Sequence, residues 1–220
     1  IEILINRYDS EIIHIFDDLF IADKKRLLKV RDYIVGKGFN KRVKFMCLIR
    51  SDMVDDEIML VLKEMNVVVT GVGMESGCDK TLRYLKKNTT SVQRNRDLIE
   101  LSTRYKIPTM GSFLLGSPNE TEEDLIESLE FIKSYRNTPY FTPLSYIATT
   151  FPGTEFWDYA ITNNIPVDNF GSIVMDIPRD ISLLRKAPLL TQIPVDRFFI
   201  LCQQFLLETE FKQTISYTFQ

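Results

Sequence analysis

One pattern recurs five times along the chain: a short apolar run ends in polar or glycine-rich residues, and a stretch with helical spacing of apolar side chains follows. The runs cover 11–16, 43–49, 67–74, 107–115 and 140–148. Runs of this length, bounded by turn residues, read as strands. Between them, Leu27, Leu28, Val30, Ile34 and Val35 recur at helical intervals, as do Ile58, Met59, Val61, Leu62 and Met65, and then Leu125, Ile126, Leu129 and Ile132. Asp23 and Asp55 suit helix N-caps, and Thr121 with Asp124 has capping-box spacing. Gly36 and Gly38 close the helix that Asp23 opens. Further helical pattern covers 80–86, 92–105 and 155–162. Such alternation predicts an α/β fold with parallel strands joined by right-handed helical crossovers. A partly closed barrel and an open doubly wound sheet both satisfy it, and in both a ligand sits beyond the carboxyl ends of the strands.

Those ends carry Asp17-Asp18, Arg50-Ser51-Asp52, Glu75-Ser76, Gly116-Ser117-Pro118 and Pro152-Gly153-Thr154. Several have a local explanation. Asp17-Asp18 can cap the next helix. Arg50 and Asp52 can form a loop ion pair. Gly111 and Gly116 can serve a bend and a tight strand exit. Glu75, within Gly71-Val-Gly-Met-Glu-Ser-Gly77, is the hardest to explain locally. A carboxylate that ends an apolar strand costs desolvation unless it is paired, and its partner is either protein, with Arg50 the candidate, or a ligand. Flanking glycines permit close approach of backbone or ligand. Five polar strand ends together point to one shared site.

The formal charge of −3 offers no footprint for nucleic acid or an anionic membrane, and no apolar run approaches a membrane-spanning length. Cys47, Cys78 and Cys202 are too far apart in sequence for zinc or cluster spacing, and an odd count argues against a secreted disulfide framework. A reduced, cytoplasmic setting is expected. His14 reads as a structural histidine on its strand, and Cys78 as a small inert side chain. Residues 166–220 lack the strand–helix rhythm. Residues 166–193 read as irregular and 194–212 as one amphipathic helix, so the expected organisation is a barrel over 1–165 and a mostly helical appendage over 166–220. Ile1, Leu4, Ile5 and Tyr8 share a helical face, which reads as the end of a helix begun upstream. The chain is therefore expected to be a piece of a longer protein.

The ordered set IIHIFDDLFIAD (12–23), CLIRSDMVDDEIMLVLKEMNV (47–67), GVGMESGCDKTLRYLKKNTT (71–90), GSFLLGSPNETEEDL (111–125) and FPGTEFWDYA (151–160) resembles the radical S-adenosylmethionine (SAM) enzymes, and within them the branch joined to cobalamin-binding domains. The resemblance covers about residues 1–165. It implies a partial parallel TIM-like (β/α) barrel, here lacking its first strand. It also implies a [4Fe-4S] cluster held by a CxxxCxxC loop, and SAM cleaved reductively to a 5′-deoxyadenosyl radical. By position, Asp17 and Asp18 would lie near the methionyl ammonium, and Glu75 and Ser76 near the ribose or methionyl end. Gly116 to Pro118 would approach the adenine and Leu115 would pack on it. Arg50 would meet the SAM carboxylate or orient Glu75. CxxxCxxC is absent from these residues. The expectation is thus the barrel core of an enzyme acting on a small-molecule or metabolite substrate, with the missing N-terminal region of the same protein as partner. Cobalamin would reside in an upstream domain, and this piece alone would be inactive. The competing expectations are a non-catalytic scaffold on a degenerate barrel and an unrelated β/α-barrel lyase, for which Lys44 is the one intrastrand lysine and a poor candidate.

Overall fold

The computed structural model describes residues 1–18, 20–167 and 175–218, with side chains of the last helix described through 209. The strands are β1 (Ile12–Ile15), β2 (Lys44–Ile49), β3 (Val67–Glu75), β4 (Thr109–Leu115) and β5 (Phe141–Ile147). The helices are α1 (Glu2–Tyr8), α2 (Lys24–Gly36), α3 (Asp56–Glu64), α4 (Asp79–Lys86), α5 (Val92–Tyr105), α6 (Glu122–Ser134), α7 (Glu155–Thr162), α8 (Ile181–Leu184) and α9 (Val195–Thr218). The five strands form one parallel sheet in the order β1-β2-β3-β4-β5. Ile13 is paired with Phe45 and Ile49 with Val72. A doubly wound sheet reverses its strand order at a switch point, whereas right-handed crossovers in unreversed order wind as in a β/α barrel. The strand order therefore decides between the two architectures that the sequence left open.

Burial alternates along the strands. On β2, Phe45, Cys47 and Ile49 are buried while Met46 and Leu48 are half-buried; on β4, Phe113 and Leu115 are buried while Ser112 and Leu114 are half-buried. One face of each strand thus lies under helices and the other is only partly covered.

The chain divides into two compact units. One comprises Ile1–Met74, Gln93–Gly111 and Thr138–Thr142; the other comprises Glu75–Val92, Ser112–Asn137 and Pro143–Gln220. In the first, Leu27, Ile34, Phe45, Met59, Leu62 and Met65 are fully buried. Asp23 and Asp55 cap α2 and α3 as their positions predict, accepting from the N–H groups of Arg26 and Ile58. Buried hydroxyls are satisfied in a chain: Thr70 Oγ1 lies 2.8 Å from Thr109 Oγ1, which lies 2.6 Å from Ser102 Oγ. His14 departs from expectation. It is exposed on β1 and stacks on Phe16 with ring centroids 3.9 Å apart, because its face of β1 is not covered.

In the second unit, Phe113, Phe198, Phe205, Leu184 and Leu201 form the interior, and the Thr121–Asp124 capping box closes on both sides. α6 and α9 are tied by Arg197–Glu122 and Arg136–Glu208. The stretch 166–193 is not wholly irregular. It contains α8, capped by Asp180, and Asp176, which bridges antiparallel to Tyr146; residues 168–174 lie outside the described set. No helix among the described residues is long and apolar enough to cross a membrane.

Candidate functional site

Glu75 is the last residue of β3 and its φ is 60°. A non-glycine residue in the left-handed region costs on the order of 1 kcal/mol and persists only where its surroundings fix it. They do so on both sides. Upstream, Asn95 of α5 is fully buried and donates its Nδ2–H to the carbonyl of Met74 at 3.1 Å. That carbonyl belongs to the peptide that enters Glu75, so its capture sets the peptide plane. Downstream, Ser76 is fully buried. Ser128 Oγ donates to the Asp124 carbonyl at 3.1 Å and accepts the Gly77 N–H at 2.9 Å. With its single proton spent, Ser128 must also accept from Ser76 Oγ, 2.8 Å away, while Ser76 Oγ accepts from the Cys78 N–H at 3.1 Å. Gly77 lies flat on α6: a Cβ there would stand 2.5 Å from Phe131 Cβ and 2.8 Å from Ser128 Cα.

The carboxylate so placed lines a cleft of ≈ 370 Å³ with apolar walls from Leu85, Leu114 and Phe156. Lys86 Nζ lies 2.7 Å from Glu75 Oε1, and Lys87 pairs with Glu155 at the same cleft. Two cations and two carboxylates above an apolar floor suit an organic ligand carrying both donors and acceptors. The partner of Glu75 is thus Lys86 and not Arg50. Arg50 is committed to Asp52 in a fork, Nε–Oδ1 3.0 Å and NH2–Oδ2 2.8 Å, which is the loop ion pair anticipated from its spacing.

The exit of β4 is built differently. Gly116 has φ +83°, and a Cβ on it would meet Phe198 Cζ at 2.6 Å. The N–H groups of Gly116 and Ser117 converge on Glu120 Oε2 at 2.6 and 3.3 Å. Glu120 is 2% exposed, and Oε1 accepts no hydrogen bond from the described residues. Burial pushes its carboxyl up to about 8, against the two N–H bonds, which favour the charged form. Leu115, Gly116 and Pro118 are buried, and the side chain that reaches the cleft is Leu114, one position earlier. Glu120, Asn95 and Lys86 were not singled out from the sequence. Of these, only Glu120 carried a signal, four residues after Gly116 and directly before the Thr121 cap.

In the first unit, Asp17 pairs with Arg26 at 2.9 Å and Asp18 is exposed. Asp17 therefore engages α2 through a side chain, and the cap itself is Asp23. The cysteines are buried and separate: burial pushes the Cys47 thiol up to about 12 and raises those of Cys202 and Cys78. Cys78 donates to Asp124 Oδ1 at 3.4 Å. Among the described residues no group of three His, Cys, Asp or Glu side chains can hold a metal, so these residues do not fit a four-iron cluster.

Known proteins share parts of this sequence and its fold. An "Uncharacterized methyltransferase" of Pyrococcus horikoshii is 28% identical over 166 residues, 75% of this chain and 35% of that protein. The anaerobic magnesium-protoporphyrin IX monomethyl ester cyclase of Rubrivivax gelatinosus is 26% identical over 154 residues, 65% of this chain and 26% of its own. The chain thus spans about a third or less of the length of these relatives. The fold matches that of TsrM from Kitasatospora setae, a radical S-adenosylmethionine methyltransferase solved with cobalamin and a [4Fe-4S] cluster, with TM-score 0.59 and 15% identity over 71% of this chain and 32% of that one. The family described as the Radical SAM superfamily matches residues 2–132, more than half of the 220, and the chain belongs to that superfamily.

Proposed function

We propose that the chain is the barrel core of a radical SAM enzyme and that the Glu75 cleft receives the ribose or methionyl end of SAM. What supports this is the fixed, left-handed Glu75 at a strand end, its carboxylate lining a cleft that balances two cations against two carboxylates. At the ribose and methionyl end of SAM, the hydroxyls and the ammonium are the groups that donate to a carboxylate, and such charge-assisted bonds are strong where water is scarce. Ser76, with its hydroxyl engaged internally, serves this site by holding the turn. SAM supplies the alkyl group whose carbon–sulfur bond is cleaved by one electron in this superfamily. The [4Fe-4S] ligands would come from outside these 220 residues, in the longer protein that the relatives' lengths suggest. Cobalamin in a further domain, a small-molecule substrate and a cytoplasmic, reducing setting complete the proposal; three free cysteines agree with the last. The competing reading is a non-catalytic binding domain on the same barrel. Anaerobic iron–sulfur reconstitution of the full-length protein separates the two: stoichiometric cluster supports the enzyme and none supports the scaffold.

Glu75→Ala in the full-length protein should weaken SAM binding about tenfold or more while leaving the thermal midpoint nearly unchanged. Calorimetric titration checks this, and unchanged affinity in a folded variant would sink the role of Glu75.

A further inference from the structure

We infer that Lys86 is a tethered competitor at Glu75, its ammonium occupying the carboxylate until donor groups of a ligand displace it. The inference rests on the reading of Glu75 as a ligand-binding group. Helix α4 begins just after the GVGMESG turn and ends at Lys86, where Lys87 takes φ 49° and stops it. An eight-residue helix therefore returns its last side chain to the strand end from which the chain departed, and Lys86 Nζ arrives 2.7 Å from Glu75 Oε1.

The two partners are unequal in freedom. Glu75 is held from upstream by the Asn95 bond to the Met74 carbonyl and from downstream by the Ser76–Ser128 hydroxyl pair. Lys86 reaches the carboxylate on a flexible four-carbon stem from a helix end, where its charge also suits the helix dipole. When a ligand arrives, Lys86 is the group that moves. Lys87 cannot take its place without leaving Glu155. The Glu75 side chain is only 20% exposed, so losing its cation leaves a carboxylate that water satisfies poorly. A ligand enters productively only if it brings N–H or O–H donors to that carboxylate. Lys86 thereby selects for an ammonium or a vicinal diol and against ligands that offer the cleft acceptors alone. A half-exposed ion pair is weak enough to be displaced and strong enough to matter, on the order of three- to fivefold in affinity.

The test is calorimetric binding of S-adenosylhomocysteine to the full-length protein in five forms: wild type, Lys86→Met, Lys86→Arg, Glu75→Gln and the double variant Glu75→Gln/Lys86→Met. The inference expects Lys86→Met to bind about three- to fivefold tighter than wild type and Lys86→Arg to match wild type. It also expects the gain to vanish in the Glu75→Gln background, with circular dichroism and thermal midpoints showing all five forms folded. Weaker or unchanged binding by Lys86→Met, with Glu75→Gln still weakened, overturns the competitor and leaves Glu75 as a ligand-binding group. Glu75→Gln binding like wild type overturns the reading of Glu75 itself, and the competitor with it.

Discussion

The protein should resist urea better at pH 5 than at pH 9, and Glu120→Gln should remove most of that difference. Burial raises the Glu120 carboxyl from 4.5 to about 8, more than the Gly116 and Ser117 N–H bonds lower it. Between those two values the unfolded chain has released its proton and the folded chain still holds it. The folded state therefore binds more protons, and stability falls as pH rises through this window. The slope is about 1.4 kcal/mol per pH unit for one group. The contribution is fully present below 4.5 and lost by about 8, a fall on the order of 5 kcal/mol. Glutamine keeps an acceptor oxygen for the Gly116 N–H but does not titrate, so its urea midpoints at pH 5, 7 and 9 should differ far less. Asp124, whose carboxyl is held low through Lys80 despite burial, contributes in the opposite sense and only in more acidic solution. Starting the series at pH 5 keeps the two apart. A wild type that instead weakens from pH 7 to pH 5 would mean that the two N–H bonds hold Glu120 ionised in the fold.

Most strands and helices were legible because each is an apolar run bounded by polar or turn residues, and Thr121 with Asp124 marked the start of α6 from two residues; α8, four residues inside the stretch read as irregular, was not legible. The strand order was not legible in the strand–helix rhythm, which sequential and reversed orders share; the family resemblance implied the barrel, and the unreversed order agrees with it. Glu75 was legible through its glycines, but its partner was not. Arg50 stood at a neighbouring strand end, whereas Lys86 is delivered by the length of α4 and by a left-handed φ that glutamate does not advertise. Glu120 reads in sequence as an ordinary acid ahead of a helix. Its burial depends on residues of α9, with Phe198 over Gly116 and Cys202 close enough to sense its charge. Leu115 and Leu114 are indistinguishable in composition; strand alternation buries one and turns the other to the cleft.

The same alternation of open and crowded backbone predicts opposite outcomes for one methyl group placed at two glycines. Gly77→Ala should cost on the order of 2–4 kcal/mol, because the added Cβ meets Phe131 Cβ at 2.5 Å and Ser128 Cα at 2.8 Å. Neither atom lies at the end of a flexible side chain, so either α6 or the turn must shift. A shift of the turn breaks the Gly77 and Ser76 bonds to Ser128 that hold Glu75 from its downstream side. Affinity for S-adenosylhomocysteine should therefore fall along with the thermal midpoint. Gly36→Ala, within α2, meets nothing within 4 Å and should raise stability by about 0.5–1 kcal/mol through helix propensity alone. Urea melts of both variants separate steric from intrinsic effects, since the atom added is the same and only its surroundings differ. If Gly77→Ala is no less stable than the wild type, the turn is not pressed on α6, and the Glu75 carboxylate loses one of its two supports.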